Sequence, residues 1–317
     1  TLFVGYDEAD EANYIVRTIT DLLESGTDAH EIAILYRANF QSRALEEACL
    51  HAKIPYQVLG VRFFERKEVK DILSFIRASL GGFAADIART VNVPPRGIGK
   101  VTLTRMLSGG AENMTASVRK KVADYYALLE RIKAVAETKK PSETVRYVMS
   151  ETGLETQLKK GGEEEQERLE NLKELVTLAT KYDQLPADEG MSLLLDDASL
   201  ASDQDDMNET KSAVRLMTVH ASKGLEFNHV FITGLEEGLF PHEKLGEDAD
   251  DEEERRLFYV ALTRARTNVY LSYASARTIF GSRQINIPSR FITDIDDAHL
   301  KAEDPGEREG TRIIYLD

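Results

Sequence analysis

The sequence has little that would cross-link the chain or hold it in a membrane. One cysteine, Cys49, is present among 317 residues, so an internal disulfide is excluded and a reducing compartment is favoured. Its place in an apolar helical pattern predicts a small buried side chain. No stretch approaches the roughly 18 uninterrupted apolar residues of a membrane helix, and Thr1–Asp10 lacks the basic and apolar segments of a signal peptide. We therefore expect no membrane segment, no signal peptide and a cytoplasmic location.

The chain also has fewer basic residues than acidic ones. The chain has 40 Lys and Arg residues against 55 Asp and Glu residues, a net charge of −15. This balance argues against a surface coated with basic residues for nucleic acid. A locally basic groove would still bind phosphates, because only nearby charges set that affinity. The acid is concentrated in runs that we expect to be solvated loops or helix starts: Glu163–Glu165, Asp203–Asp206 and Glu247–Glu254.

Strand-like and helical patterns alternate at both ends of the chain. Short apolar runs predict buried strands, and apolar residues at helical spacing predict the helices between them. The expected strands are Ile32–Tyr36, Tyr56–Leu59, Val214–Thr218, His229–Ile232 and Asn268–Tyr273, and the expected helices are Glu11–Glu24, Ser42–Ala52, Glu68–Leu80 and Glu252–Ala265. From Gly81 to about Asn208 helical periodicity dominates. The simplest architecture is one α/β domain built from both ends of the chain, interrupted by an inserted all-α domain.

The segment Ile34–Arg43 is the first of three that place polar side chains beside a predicted strand or helix. A buried strand ends there in Tyr36 and Arg37, and open α/β sheets bind ligands at the carboxyl ends of their strands. The aromatic ring of Tyr36 can stack on a base, and the guanidinium of Arg37 can contact a phosphate. Taken alone, an aromatic residue and an arginine at a strand end are more often structural.

The second segment is Met217–Phe227, where a predicted strand runs into a tight glycine turn. The turn displays His220, Lys223 and Glu226. Gly224 would permit close approach of the backbone to a ligand, and a glutamate in such a turn has the chemistry to hydrogen-bond a sugar hydroxyl. Taken singly, a capping histidine and a solvated lysine are ordinary features.

The third segment is Glu253–Arg266, a predicted helix with Arg264 near its end. A guanidinium at such a position can neutralise charge that develops on a transferred phosphoryl group, an effect worth roughly 10³–10⁵ in rate. The common alternative for a sequence rich in Glu and Arg is a salt-bridged surface helix.

In order and content the three segments resemble motifs IV, V and VI of the superfamily 1 helicases of the UvrD, Rep and PcrA group. Further similar segments are Gly60–Asp71, Gly234–His242 and Ser289–Ile292. The resemblance covers nearly the whole chain and is looser through the middle. It implies a RecA-like parallel-sheet domain with the P-loop NTPase fold, the second motor domain of the family, at 1–80 and 210–295. It also implies the inserted helical domain at 81–209 and a C-terminal tail at 296–317.

The resemblance implies roles at a nucleotide for five residues. Tyr36 would stack on the adenine of ATP, and Arg37 and Arg264 would contact its γ-phosphate, with Arg264 acting across the cleft between two motor domains. Glu226 would bind the ribose beside Gly224.

The resemblance also implies contacts with DNA. His220 would lie at the single-strand face, and Phe64 is a candidate for stacking on a base, although a core aromatic is about equally expected. Within the insertion, Val93–Lys100 is similar to the hairpin of a helix–hairpin–helix element, which binds duplex backbone. Its candidate contacts are Arg96, Gly97, Gly99 and Lys100, since glycine turns and helix N-termini meet phosphates with backbone N–H groups.

Two parts of an ATPase are missing from the sequence. No G-x-x-x-x-G-K-[S/T] loop occurs, and no apolar strand ends in a paired Asp-Glu that would hold Mg²⁺. In the family these parts lie in the first motor domain, so we expect a fragment of an ATP-dependent 3′-to-5′ DNA helicase of replication or repair, inactive alone, with no metal ligands of its own. The chain also begins without a recognisable domain-opening element.

The expected partners are single-stranded DNA, single-strand/duplex junctions, the N-terminal motor domains and proteins bound through the insertion. Three alternatives stay open: a non-catalytic DNA- or protein-binding module, the related helicase–nuclease branch, and a truncated paralogue that has lost catalysis.

Overall fold

The computed structural model describes residues 1–108, 114–205, 212–242 and 251–303. The chain divides into two compact units. The sheet unit comprises Thr1–Gly60, Asn208–Thr278 and Arg283–Asp317, and the second unit comprises Val61–Met207 and Ile279–Ser282.

The described strands and helices alternate at both ends of the chain, and helices alone fill the described part of the stretch between β3 and β4. The strands are β1 (Leu2–Gly5), β2 (Ile32–Tyr36), β3 (Tyr56–Val58), β4 (Val214–Thr218), β5 (Phe227–Ile232), β6 (Ala265–Ala274), β7 (Ala276–Ile279) and β8 (Ser282–Ile285). The helices are α1 (Glu8–Glu24), α2 (Ser42–His51), α3 (Lys67–Gly81), α4 (Ala84–Thr90), α5 (Lys100–Leu107), α6 (Ala116–Ala136), α7 (Pro141–Glu151), α8 (Leu154–Lys159), α9 (Glu163–Ala179), α10 (Ala187–Asp205), α11 (Asp251–Leu262) and α12 (Arg290–Thr293).

A six-stranded parallel sheet forms the centre of the sheet unit, in the order β1-β6-β5-β2-β4-β3. The predicted mixed α/β class is therefore confirmed. The central strand β2 is buried at all five positions, as its uninterrupted apolar sequence predicts for a strand covered on both faces. Its side chains alternate between two apolar clusters: Ile32, Ile34 and Tyr36 join one, and Ala33 and Leu35 join the other.

Different helices cover the two faces of the sheet. Residues of α1 and α2 pack with the first cluster, among them Ile15, Ile19 and Leu45. Residues of α11 and α12 pack with the second, among them Phe258 and Phe291. The helices α1, α2 and α11 each present an apolar stripe at helical spacing, which is what covering a sheet requires.

The second unit has its own apolar core. Val69, Ile72 and Phe75 of α3 are fully buried there, together with residues of α6, α7, α9 and α10. The division between the units falls after Gly60, whereas the sequence pattern placed a boundary after Leu80. The physical reason is that α3 buries its apolar face in the core of the second unit.

Three strands were absent from the sequence prediction. The chain does begin with an ordered element, because β1 pairs in parallel with β6 from Leu2↔Leu271 to Gly5↔Ala274. The other two are β7 and β8, which form a separate two-stranded sheet. All three are four residues long, and β7 and β8 contain no uninterrupted apolar run that would indicate a strand.

Among the described residues, no helix is long and apolar enough to cross a membrane.

Candidate functional site

The first two sequence segments meet at one edge of the sheet. Tyr36 is the last residue of β2 and is aligned with Thr218, the last residue of β4. The amide of Val219 donates to the carbonyl of Tyr36 at 2.9 Å, which extends the pairing past the ends of both strands. Arg37 and His220 therefore follow neighbouring strands at their carboxyl ends, where parallel sheets bind ligands.

Tyr36 lies in the core, with 1% of its surface exposed. It packs in the same apolar cluster as Ile34 and Leu45. Stacking of an adenine on this ring therefore requires the side chain to be uncovered, and the stacking role stays a prediction.

Arg37 makes a bidentate ion pair with Glu254 in the first turn of α11. Its Nε lies 3.0 Å from both carboxylate oxygens of Glu254, and its Nη2 lies 2.7 Å from Oε1. Oε2 also accepts from the amide of His242 at 3.0 Å. The side chains of Arg37 and Glu254 are 14% and 8% exposed. Such two-pronged, charge-assisted contacts fix the plane of a guanidinium.

The backbone at Arg37 is fixed as well. The side-chain oxygen of Gln41 accepts from the amides of Arg37 and Ala38 at 3.0 and 2.8 Å. The sequence singled out neither Gln41 nor Glu254. A signal for Glu254 does exist, since it precedes Leu257, Phe258 and Ala261 at helical spacing on the buried face of α11. A carboxylate on a buried face needs a partner.

The glycine turn after β4 has the conformation that its sequence predicts. Gly224 has a φ of +88°, a left-handed value that favours glycine. His220 is exposed in the 3₁₀ turn that precedes it. Ser222 is buried, and its hydroxyl donates to the carbonyl of Val219 at 2.7 Å, a contact within the turn itself.

Arg264 ties the third segment to the second. Its Nη1 donates to the carbonyl of Leu225 at 2.8 Å, and its Nε donates to the carbonyl of Val260 at 3.0 Å. The Arg264 carbonyl in turn accepts from the amide of Phe227 at 2.9 Å. The arginine is half-buried, and these contacts hold it beside the glycine turn.

Glu226 also faces the third segment. Its Oε2 accepts from Nε of Arg266 at 3.1 Å, in a pair whose side chains are 53% and 62% exposed. An exposed pair of this kind contributes little to stability and exchanges readily for another hydrogen-bond partner.

The two predicted phosphate arginines are held near opposite ends of one helix. Arg37 pairs with the first turn of α11, and Arg264 follows its last turn. The helix residues that they contact, Glu254 and Val260, are six positions apart, about 9 Å along the helix axis at 1.5 Å per residue. The sheet unit thus displays two groups: Arg37 with Glu254, and Gly224, Glu226 and Arg264 around the glycine turn.

Two of the further similar segments, Gly234–His242 and Ser289–Ile292, also come together. Arg290 donates to Glu237 through Nε at 3.1 Å and through Nη2 at 2.5 Å, and its Nη1 donates to Asp251 at 2.9 Å. The hydrogen bonds from Arg290 hold the pKa of Glu237 below its usual range, although burial alone would raise it. These contacts tie the loop after β5 to the start of α11.

In the second unit, Phe64 is half-buried and packs against the apolar core. Its ring meets that of Phe63 edge to face, with 5.3 Å between the centroids. The structure supports a packing role for Phe64 at the core. Contact of Phe64 with a base stays a prediction.

Within the predicted hairpin, Arg96 differs from the other three candidate residues in the direction of its side chain. The Arg96 guanidinium turns inward and donates through Nη1 to the carbonyls of Thr90 at 3.2 Å and Val93 at 2.5 Å. Burial lowers its pKa. The amides of Arg96 and Ile98 both donate to Oδ1 of Asn92. Arg96 therefore shapes the hairpin, and its contact with DNA stays a prediction.

The outer surface of the hairpin carries the other three candidates. Gly97 has a φ of +70°, and no described residue accepts a hydrogen bond from the amide of Gly97 or Gly99. Lys100 begins α5 and is exposed. Lys121 of α6, which the sequence did not single out, lies against the turn, because a Cβ added at Gly97 would meet its Nζ at 2.6 Å.

Comparison with known proteins identifies the family. The model of the UvrD-like helicase C-terminal domain matches residues 2–276. The chain belongs to the UvrD-like helicase C-terminal domain family.

Similar curated proteins agree with that match. The chain is 37% identical to a protein of Staphylococcus epidermidis named ATP-dependent DNA helicase PcrA, over 95% of this chain and 44% of that protein. A protein of the same name from Staphylococcus aureus is 35% identical over the same shares. The chain therefore spans about 44% of the length of these relatives. The region matched to the UvrD-like domain contains every predicted site residue, from Tyr36 to Arg264.

Proposed function

We propose that this chain is the C-terminal portion of an ATP-dependent 3′-to-5′ DNA helicase and supplies the arginine side of its ATP cleft. The observation that carries the proposal is the similarity over 95% of the chain to proteins named ATP-dependent DNA helicase. In this proposal the sheet unit is the RecA-like second motor domain, and the second unit is the all-α domain inserted in it.

The side chains of the sheet unit suit a nucleoside triphosphate. Arg37 and Arg264 supply fixed positive charge for phosphate oxygens, and guanidinium groups bind such oxygens with directed hydrogen bonds. Glu226 supplies an exposed carboxylate for a ribose hydroxyl, and the conformation of Gly224 lets the backbone approach the ligand. Arg264 would stabilise charge on the transferred phosphoryl group.

When bound, magnesium would supply positive charge that offsets the charge of the phosphates. Groups of three or more His, Cys, Asp or Glu side chains arranged for a metal are absent from the described residues. We therefore propose that its ligands, like the phosphate-binding loop, belong to the first motor domain, and that this chain alone hydrolyses no ATP.

DNA would contact both units. His220 is exposed beyond the carboxyl end of β4, as a contact with single-stranded DNA requires. In the second unit, the amides of Gly97 and Gly99 and the ammonium groups of Lys100 and Lys121 together suit a duplex phosphate. A single-strand/duplex junction is therefore the proposed DNA substrate.

The net charge of −15 favours a second candidate, a non-catalytic module that binds proteins through its helices. Binding to a duplex junction at low salt discriminates between the two, since a protein-binding module would show no such affinity.

Replacement of Arg264 tests the catalytic proposal. In the parent protein, Arg264→Ala should lower single-strand-DNA-stimulated ATP hydrolysis by roughly 10³-fold or more, because the charge on the transferred phosphoryl group loses its counter-charge. Steady-state hydrolysis with saturating DNA measures the effect, and circular dichroism checks that the variant folds.

Arg256→Ala is the matched control. Arg256 lies on the same helix and pairs only with exposed Glu252 among the described residues, with side chains 79% and 82% exposed. It should retain activity within about twofold. An active parent that tolerates Arg264→Ala would refute the assignment, and an inactive parent would favour the binding module.

A further inference from the structure

Glu254 is a buried carboxylate that the proposed function leaves without a role. It lies on the core-facing side of α11 with Leu257, Phe258 and Ala261 and is 6% exposed. Burial of a charge without a partner is costly. Its partner is Arg37, the residue proposed to reach the terminal phosphate, although 217 residues separate the two in the sequence.

The geometry of the pair leaves one side of the guanidinium open. The carboxylate of Glu254 accepts hydrogen bonds from the Nε and Nη2 edge of the Arg37 guanidinium. No described residue hydrogen-bonds its Nη1. A guanidinium offers five N–H groups in one plane, so occupation of one edge still leaves donors on another.

Both partners are themselves anchored. The amide of His242 donates to Glu254 Oε2 at 3.0 Å, and the carboxylate lies in the first turn of a helix, where the helix dipole stabilises negative charge. Gln41 fixes the Arg37 backbone from the other side. The carboxylate is therefore held in place before any ligand arrives.

We propose that Glu254 is a positioning residue that holds Arg37 by its Nε and Nη2 edge and directs Nη1 at the terminal phosphate of a bound nucleoside triphosphate. This inference rests on the proposed function of the sheet unit. Glu254 itself touches no phosphate, because two anions would repel each other. The opposite role, a lock that withholds Arg37 from the ligand, would make removal of the carboxylate activating.

The test compares binding of ADP and of a non-hydrolysable ATP analogue to the parent protein. Glu254→Gln keeps the shape of the side chain but loses the charge and one acceptor oxygen. It should weaken binding of the analogue about tenfold, by analogy with residues that orient metal ligands, whose loss typically costs about 10–100-fold in affinity. ADP affinity should change less than about twofold, because ADP has no terminal phosphate for Arg37 to contact.

A double-mutant cycle separates positioning from a general effect on folding. In an Arg37→Ala background, Glu254→Gln should cause no further loss of preference for the analogue over ADP. Glu252→Gln is the matched control, on the same turn and exposed, and it should behave like wild type. Equal losses of analogue binding with and without Arg37 would overturn the inference.

A second variant covers the case in which Glu254→Gln does not fold. Arg37→Lys keeps the charge. A lysine ammonium lacks the planar guanidinium, however, and cannot donate to Glu254 along one edge while it donates to a phosphate along another. It should lose the preference for the analogue by a similar factor, and retention of that preference would contradict the inference.

The remaining outcomes are distinguishable. Tighter analogue binding by Glu254→Gln would establish the lock, and unchanged binding would remove any role, so either result overturns the inference while leaving the proposed function standing. A wild-type parent that binds the analogue no better than ADP would overturn the proposed function itself and this inference with it.

Discussion

Cys49 shows how completely the environment of one residue controls its chemistry. The thiol is fully buried on α2, as its apolar helical surroundings predict. Burial raises the pKa of Cys49 from 9.0 to about 12, and nearby Glu46 adds to the increase. Because the thiolate is the nucleophile, the folded protein should be unreactive toward alkylating reagents.

Cysteine alkylation tests this environment directly. At pH 9 the folded chain should take up iodoacetamide far more slowly than the chain in denaturant, and mass spectrometry would report Cys49 alone because it is the only cysteine. The thiol has a pKa of 9.0 in the unfolded chain and of about 12 in the folded protein. Stability is therefore lost as the pH rises through that window, by about 1.4 kcal/mol per pH unit. Equal labelling of folded and denatured chain would contradict the prediction.

Arg96 and Lys100 show that neighbouring cations can have different tasks. Both were predicted to contact DNA, yet only Lys100 is exposed, while Arg96 satisfies backbone carbonyls on the inner side of its turn. A buried carbonyl left without a donor costs about 1–3 kcal/mol. The two residues should therefore affect different measurements.

Alanine replacements would separate those tasks. Arg96→Ala should lower the free energy of unfolding of the second unit by about 1–3 kcal/mol, as measured in urea. Lys100→Ala should change stability by less than about 0.5 kcal/mol. It should instead weaken duplex binding and reduce the salt dependence by about one phosphate contact, as measured by fluorescence anisotropy over a salt series. A Lys100→Ala variant with wild-type duplex affinity would remove this residue from the proposed interface.

At the scale of elements, the buried strands were the most predictable. The predicted and observed bounds of β2 and β4 coincide. The strand β2 is an uninterrupted apolar run, which is stable only when it is covered on both faces, whereas β4 contains the partly buried Arg215 and Thr218. The end of α11 was less predictable. A helix was expected to continue to Ala265, but that residue already pairs with Phe227 in the sheet. Parallel pairing therefore decides where the helix ends and places Arg264 in the connection.

At the scale of the whole molecule, one buried arginine joins distant parts of the sheet unit. Arg277 donates to Glu11 at 2.8 Å and to Glu236 at 2.6 Å, across 266 and 41 residues of sequence. Burial alone would lower the pKa of Arg277, but Glu236 and Glu11 raise it well above its usual value. The same carboxylates accept from the amides of Gly234 and Ala274, so the network fixes the loop that leads to His242.

Removal of Arg277 should destabilise the sheet unit strongly. Arg277→Met leaves two buried carboxylates without their counter-charge, which should cost about 3–5 kcal/mol. Urea unfolding followed by circular dichroism measures the loss. Arg256→Met, which removes an exposed pair in the same unit, should cost less than about 1 kcal/mol. Similar stabilities for the two variants would show that the network contributes no more than a surface pair.

The sequence by itself determined the local elements and the chemistry that they can carry. Apolar runs and helical periodicity depend on neighbouring residues, so β2, β4 and the apolar face of α3 are readable from the chain alone. So is the glycine turn, because the conformation of Gly224 is a local property.

Only the tertiary structure decided which charges meet. Three features depend on contacts between residues far apart in sequence. They are the pairing of Arg37 with Glu254, the inward direction of the Arg96 side chain, and the packing of α3 in the second unit. Hydrophobic burial is non-directional and sets no partners by itself. Partners are chosen when folding brings a buried charge within reach of its opposite, and one sequence does not reveal that distance.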